Sequence, residues 1–248
     1  RKKRDLKKLH SLIDESKKNN KPVACLIEKN TLFSVQKINI KKSKKNLKRK
    51  EVIDKLLINI KNKTNIVSTT GFTSRELMQI RSRKNHKKGN DFYMVGGMGH
   101  SATVALGASL FTNNQTVCLD GDGSILMHLG SLNTIGLCAK KNFKHILLNN
   151  NSHESVGGQL THADKIDFKK LTKSLGYSKY FVIKNRKELN KKLKNLINST
   201  GPSFLEAQIS NGSMPNLSRP KDLKTSVNPI KTLTPRFITR TLEKIKKN

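Results

Sequence analysis

Four short segments hold the side chains and glycines that could do chemistry: residues 69–71, 96–100, 121–124 and 149–153. They are rich in glycine, hydroxyl, amide and imidazole groups. Each follows a short apolar run that is typical of a buried strand. Because ligands bind beyond the carboxyl ends of the strands in an open parallel sheet, we expect these segments to meet at one edge and to form a ligand site.

Two side chains of these segments suit a metal ion. Asp122 and Asn150 offer the hard oxygen ligands that Mg²⁺ prefers, and the backbone carbonyl of Ser152 would complete the protein's share. Two glycine turns precede helices, whose N-terminal N–H groups favour an anion such as phosphate. No Lys or Arg occurs between Lys88 and Lys140, so we expect the metal to offset the charge of a bound diphosphate.

Each segment alone is ambiguous. A Gly-Asp-Gly run is often only a turn, a glycine loop often serves helix packing, and Asn residues end many strands. Neither glycine cluster fits the G-x-G-x-x-G motif that opens a Rossmann unit, and no Gly-Lys-Ser/Thr motif follows a strand. These two nucleotide-binding classes are therefore excluded.

The elements that must position these segments alternate between strand and helix patterns. Strands are predicted at 65–69, 91–95, 116–119, 145–148, 180–183 and 203–209. Helices are predicted from residue 49 onward and at 74–83, 101–110, 125–139, 168–175 and 187–198. Strands separated by helices imply parallel crossovers, so the predicted fold class is α/β: a mostly parallel sheet with helices on both faces.

The remaining chain is divided by composition. A helix is predicted at 6–20 and a buried strand at 22–28, followed by a lysine-rich linker at 34–48. Residues 49–212 form the predicted α/β domain, and 213–248 an extended C-terminal tail. Because the chain starts with Arg1 rather than Met, we expect it to be a truncated or processed piece of a longer protein.

The composition leaves a second function class open. The chain has 50 Lys and Arg against 17 Asp and Glu, a net charge of +33, which would suit a basic nucleic-acid-binding protein. Most of the cations are Lys, aromatic residues make up 5%, and Trp is absent, so Arg forks and stacking platforms are scarce. We therefore favour a basic surface around a protected site, with no specific nucleic acid as partner.

The cysteines and the hydropathy bear on where the protein works. Cys25, Cys118 and Cys138 form no CxxC pair and lie in apolar runs, so we interpret them as reduced core residues of a cytoplasmic protein. No run of about 18 uncharged apolar residues occurs, so no membrane span or membrane partner is predicted.

The combination of segments is more specific than its parts. Residues 121–124, a helix, a strand and then Asn149-Asn150 resemble the diphosphate-binding signature of the thiamine diphosphate enzymes. The resemblance implies thiamine diphosphate and Mg²⁺ as cofactors, with the metal on Asp122, Asn150 and Ser152. It also implies a V-shaped cofactor, with the Gly96 carbonyl on its amino group and Met98 beneath its rings. The residues implied to bind the cofactor are Thr70, Gly71, Gly96, Gly97, Met98, Gly99, Gly121, Asp122, Gly123, Ser124 and Asn150.

Within this family the chain most resembles the phosphonopyruvate decarboxylases, and next the sulfopyruvate decarboxylases. The likeness lies in residues 70–77, 94–100, 119–123, 153–159 and 217–220. It implies a carboxy-lyase of phosphonate biosynthesis that converts 3-phosphonopyruvate to phosphonoacetaldehyde and CO₂ without oxidation. A sulfopyruvate decarboxylase subunit is the alternative.

The resemblance also suggests residues for proton transfer and substrate binding, each with a plainer alternative. His153 or His100 would move protons, since imidazole titrates near neutral pH, although His153 could merely order its loop. Gln159 would hydrogen-bond substrate oxygens or hold its loop. Glu154 would cap a turn or act as an acid–base group, and no arginine can be assigned to a phosphonate.

Two departures from the family pattern qualify this likeness. Residues 159–161 read Gln-Leu-Thr where relatives usually have Gln-Pro-Thr. Residues 1–33 resemble only the end of a pyrimidine-binding domain, whose activating Glu finds no counterpart here. We therefore expect the chain to be inactive alone, and to work as a homo-oligomer of a longer chain or with a complementary pyrimidine-binding subunit.

Overall fold

The computed structural model describes residues 3–28, 45–82, 86 and 89–219, in two units that divide after Lys41. The first unit contains helix α1 (Lys3–Asn19). Residues 22–28 form no strand, and Leu26 is 97% exposed, so the predicted buried strand is wrong. A strand needs a neighbour for its backbone hydrogen bonds, and the described part of this unit, 3–28, offers none.

The second unit is built on a six-stranded sheet in which each pairing is parallel. The strand order is β2-β1-β3-β4-β6-β5, which confirms the predicted α/β class. The central strands are buried along their length, as parallel strands covered on both faces must be. The strands are β1 (Asn65–Ser68), β2 (Asn90–Tyr93), β3 (Thr116–Gly121), β4 (Phe143–Asn149), β5 (Lys179–Ile183) and β6 (Ser203–Gln208).

Helices cover both faces of this sheet. One apolar cluster joins the sheet to α2 (Arg49–Asn59), α3 (Phe72–Arg81) and α8 (Arg186–Asn198). A second cluster, on the other face, includes residues of the remaining helices of this unit and is fully buried at Cys118, Phe143 and Phe204. These helices are α4 (Ser101–Leu110), α5 (Asp122–Met127), α6 (Ser131–Cys138) and α7 (Phe168–Ser174).

The single long helix predicted at 125–139 is instead two helices, α5 and α6. The first begins at Asp122, directly after β3, and His128 then leaves helical geometry with φ −135° and ψ 49°. The ring of His128 lies 4.4 Å from that of His100, centroid to centroid, so a tertiary contact coincides with the break. The apolar residues continue through the break, which is why the pattern alone could not show it.

The boundaries and cysteines also differ from expectation. Leu47, in the predicted linker, is fully buried, and its carbonyl accepts a 2.8 Å hydrogen bond from the Ser210 amide. Cys118 is buried as predicted, but Cys25 and Cys138 are exposed. Residues 29–44 of the linker region and 220–248 of the predicted tail lie outside the described residues. Among the residues described, no helix has the length and hydropathy to cross a membrane.

Parallel register brings the four segments to one edge of the sheet. Gly121 pairs with Leu148 in β4, so the residues that follow each strand become neighbours. The Thr69 amide donates to the Leu119 carbonyl at 2.8 Å, which holds the first segment beside the third. The edge predicted to carry chemistry is therefore formed as expected.

Candidate functional site

A cleft opens at this edge between the strand ends, the start of α5 and the loop after β4. Among the residues predicted to bind cofactor or metal or to act as catalysts, it is lined by Thr70, Met98, Gly121, Asp122, Gly123, Ser124, Asn150, Ser152 and His153. It is also lined by Arg49, Thr69, Phe72, Thr73, Leu148, Glu154 and Ser155.

Asp122 supplies a nearly buried carboxylate to this cleft. It is the first residue of α5 and only 2% exposed, and its Oδ2 accepts a 2.5 Å hydrogen bond from Thr161 Oγ1. Burial raises its pKa, while hydrogen bonds from Thr161 and from the backbone of Asn150 and Ser152 oppose the rise. The loop after β4 therefore lies against the Asp122 carboxylate, where a cation would relieve its desolvation.

Asn150 and Ser152 face the same cleft from the end of β4. The Asn150 amide donates through Nδ2 to Glu154 Oε2 at 3.0 Å, and its Oδ1 accepts from the Ser152 amide at 3.2 Å. Ser152 Oγ is buried with no hydrogen-bond partner among the described residues. This corner of the cleft thus holds oxygen atoms with unused acceptor capacity.

Gly123 leaves no room for a side chain at the floor of the cleft. A Cβ built on Gly123 would lie 2.4 Å from His153 Nδ1 and 3.1 Å from Met98 Cε. The two side chains therefore pack over Gly123, from different loops. Ser124 Oγ accepts from Thr69 Oγ1 at 2.8 Å and from the Gly99 amide at 3.1 Å, which ties three of the four segments together.

Two predicted catalytic residues, His100 and Gln159, do not line the cleft. The His100 ring packs beside that of His128, because the break between α5 and α6 brings His128 to it. Gln159 is exposed, and its side chain lies over Gly157, while its carbonyl accepts from the His153 amide at 2.8 Å. Its observed role is to close the loop of residues 153–159.

Four predicted glycines do not line the cleft: Gly71, Gly96, Gly97 and Gly99. Gly96 and Gly97 are exposed and have φ of 71° and 46°, a left-handed geometry that glycine adopts without strain. Gly71 also has positive φ, and a Cβ there would lie 2.8 Å from Ser155 Oγ. These positions set the path of the backbone around the cleft.

Two cations near the cleft were missed in the sequence. Lys45 Nζ lies 3.4 Å from the Asn149 carbonyl oxygen, and its charge interacts with that of Asp122. Arg49 lines the cleft, but its guanidinium binds Glu154 at 2.7 Å and Glu76 at 3.3 Å. The expectation that no cation is near was wrong because Lys45 precedes α2 and Arg49 begins it, so both are far from the glycine turns in sequence. The start of the α2 pattern at Arg49 was the available signal.

Two buried side chains, Asp120 and His145, lie beneath the Gly121–Gly123 turn, and Asp120 hydrogen-bonds to it. Asp120 Oδ1 accepts from Ser101 Oγ at 3.1 Å and from the Gly121 amide at 3.0 Å. Its Oδ2 lies 3.4 Å from His145 Nε2, and His145 Nδ1 lies 2.9 Å from the Tyr177 hydroxyl. Asp120 therefore joins the start of α4 to the turn that presents Asp122.

Comparison with known proteins identifies this arrangement. Residues 69–207 match the family model described as "Thiamine pyrophosphate enzyme, C-terminal TPP binding domain". The chain belongs to this family. The matched range includes all four cleft segments, so the resemblance seen in the sequence is confirmed, and an interpretation as a nucleic-acid-binding protein gains no support.

Three relatives of this thiamine pyrophosphate enzyme domain are named as decarboxylases or decarboxylase subunits. Phosphonopyruvate decarboxylase of Streptomyces viridochromogenes is 39% identical over 68% of this chain and 41% of its own length. The β subunit of sulfopyruvate decarboxylase is 36% identical in Methanocaldococcus jannaschii, over 61% of this chain and 78% of the subunit. The β subunit of Methanococcus maripaludis is 32% identical, over 69% of this chain and 90% of the subunit.

Solved structures share the fold. A putative thiamin diphosphate-dependent enzyme from Mycobacterium smegmatis matches with a TM-score of 0.55 and 18% identity, over 67% of this chain and 32% of that one. The chain thus spans about two fifths of the phosphonopyruvate decarboxylase that it matches.

Proposed function

We propose that the complete protein is a thiamine diphosphate- and Mg²⁺-dependent decarboxylase of 3-phosphonopyruvate that forms phosphonoacetaldehyde and CO₂ for phosphonate biosynthesis. One observation carries the proposal: the Asp122 carboxylate and the Asn150 amide, from neighbouring strand ends, line one cleft in a domain of this family. The 39% identity to a phosphonopyruvate decarboxylase supports the choice of substrate.

The residues of the cleft fit the two cofactors. Asp122, the Asn150 amide oxygen and the Ser152 carbonyl would hold Mg²⁺, and the buried carboxylate favours a divalent cation. The Gly121–Gly123 turn lets the diphosphate approach the backbone, and Met98 would support the cofactor's rings. When bound, thiamine diphosphate supplies the electron sink for loss of CO₂ from a 2-keto acid.

His153 is the predicted catalytic residue that lines the cleft, so we assign proton transfer to it. Its Nδ1 lies close to Gly123, since a Cβ built there would be 2.4 Å from it. The hydrogen bond from its amide to the Gln159 carbonyl closes the loop that carries the ring. Arg75 stacks over Phe72, 5.7 Å from the ring centroid, and Phe72 lines the cleft, but no cation is assigned to the phosphonate.

A sulfopyruvate decarboxylase subunit is the second candidate. It is favoured by the share of each relative's length that this chain spans. The chain spans 78% and 90% of two β subunits, against 41% of the phosphonopyruvate decarboxylase. The printed subunit names imply a complementary chain in those enzymes. In either case we propose that a pyrimidine-binding part, on a longer chain or a separate subunit, completes the site in a cytoplasmic assembly.

Calorimetry tests the cofactor assignment. The full-length polypeptide is titrated with thiamine diphosphate in the presence and absence of Mg²⁺, and separately with DNA at two salt concentrations. We expect Mg²⁺-dependent binding of the cofactor and only weak, salt-sensitive binding of DNA. Absence of cofactor binding, with tight and salt-resistant binding of DNA, would overturn the proposal.

Comparison of CO₂ release from phosphonopyruvate and sulfopyruvate tests the substrate. The assay uses the full-length polypeptide, with any complementary subunit supplied. Faster release from phosphonopyruvate at equal substrate concentration is expected. The reverse preference would assign the chain to the sulfopyruvate decarboxylases and would leave the cofactor assignment intact.

A further inference from the structure

We propose that Glu154 is a positioning residue that fixes which atom of the Asn150 side chain faces the metal. The proposal rests on the proposed function, since it takes Asn150 as a metal ligand. Glu154 begins a short 3-10 turn after β4 and accepts hydrogen bonds from three separate segments of the chain. Glu154 therefore does more than cap its own turn. It links these three segments, and one of them carries Asn150.

The chemistry of the hydrogen bond determines the direction of the amide. An ionised carboxylate only accepts hydrogen bonds, so the atom of Asn150 that lies 3.0 Å from Glu154 Oε2 must be the donor Nδ2. The oxygen Oδ1 is then turned the other way, where it accepts from the Ser152 amide at 3.2 Å and keeps a second lone pair. A flipped amide would present N–H groups to a cation and could not bind it.

Arg49 and the Gly212 amide hold the Glu154 carboxylate in place. Arg49 Nη2 donates to Glu154 Oε2 at 2.7 Å, and Arg49 is only 5% exposed. The Gly212 amide donates to Glu154 Oε1. The orientation of Asn150 thus depends on the first residue of α2 and on the segment after β6, through their hydrogen bonds to Glu154.

Glu76 provides a matched control inside the same network. It accepts from the other Arg49 nitrogen, Nη1, at 3.3 Å and from the Met214 amide at 3.0 Å. Its recorded hydrogen bonds do not include Asn150. Loss of either carboxylate leaves Arg49 with one remaining carboxylate partner and removes one contact to the segment after β6, but only Glu154 acts on the amide.

The experiment compares Glu154→Met with Glu76→Met in the full-length protein. Mg²⁺ is titrated at fixed thiamine diphosphate, and cofactor binding is followed by calorimetry. Loss of an outer partner of a metal ligand typically weakens metal affinity by about 10–100-fold, so we expect that change for Glu154→Met. For Glu76→Met we expect less than about a threefold change, since the amide keeps its partner. High Mg²⁺ should restore cofactor binding to Glu154→Met, which it would not do for a misfolded protein.

The outcomes separate this proposal from the proposed function. If the parent fails to bind thiamine diphosphate with Mg²⁺, the proposed function is wrong. If the parent binds and the two Met variants need equal Mg²⁺, the role of Glu154 is wrong and the function stands. Should Glu154→Met not fold, Glu154→Gln is compared with Glu76→Gln. The Gln at 154 has one acceptor oxygen for three donor groups, so we expect it to need at least about threefold more Mg²⁺ than Glu76→Gln. Equal Mg²⁺ requirements would overturn the role.

Discussion

Thr161 Oγ1 donates a 2.5 Å hydrogen bond to Asp122 Oδ2, although the two residues are 39 positions apart in the chain. The loop after β4 turns back at residues 153–159 and is closed by a bridge between Ser152 and Leu160. Leu160 pairs in this bridge while its side chain stays 62% exposed. The bridge thus brings the next residue, Thr161, to the Asp122 carboxylate.

Thr161→Val should weaken Mg²⁺-dependent cofactor binding by about 10–100-fold, because Asp122 loses the donor that orients it. The free energy of unfolding should fall by about 1.5–3 kcal/mol, as for a hydrogen bond to a charged group. Calorimetry and chemical denaturation measure the two effects. Thr172→Val, which removes a buried hydroxyl bonded to the Phe168 carbonyl, should leave cofactor affinity unchanged. Equal affinities for all three proteins would remove the role of Thr161.

Asp122→Asn or Asp122→Ala should abolish Mg²⁺-dependent binding of thiamine diphosphate and keep the fold. Burial disfavours the charge of Asp122, so unliganded Asp122→Asn, which keeps an acceptor oxygen for Thr161, should unfold no more easily than the parent. Thermal unfolding with and without both cofactors measures this, and the cofactor-dependent rise in the midpoint should disappear. Asp164→Asn, at an exposed position, should retain the rise. A rise in the Asp122 variants would show that the metal assignment is wrong.

Gly123→Ala should lower turnover by about 10–100-fold with little loss of stability, because its Cβ displaces the His153 ring from the cleft. Steady-state rates of the complete enzyme and thermal unfolding test the two parts. Gly130→Ala is the control: nothing lies within 4 Å of its Cβ, and its φ of −60° suits any residue. Parental turnover in Gly123→Ala would contradict the placement of His153.

Met98→Ala should lower turnover more than cofactor affinity, since the side chain would support the shape of the cofactor rather than hold its diphosphate. The rate of CO₂ release and the affinity for thiamine diphosphate are measured on the same preparation. Met127→Ala, at a 56% exposed position near Gly99, should change neither. An unchanged rate of CO₂ release in Met98→Ala would show that Met98 does not support the cofactor's rings.

Much of the fold could be read from the sequence because strand and helix patterns are local. The alternation from residue 65 to 208 gave the α/β class and put Asp122 and Asn150 at strand ends. The wrong secondary-structure predictions lie where a contact with another segment determines the structure. Residues 22–28 are apolar enough for a strand but have no neighbouring strand in their described unit, and the helix pattern runs through a break at His128.

The site divides in the same way. Sequence order determined its main donors, since glycine turns, Asp122 and Asn150 follow strands whose ends must share one edge in a parallel sheet. Only the tertiary structure decided that Arg49, Glu154 and Thr161 surround them, and that His100 and Gln159 stay outside the cleft. A periodic pattern records which residues are buried, whereas a hydrogen bond across distant segments depends on how the finished elements pack.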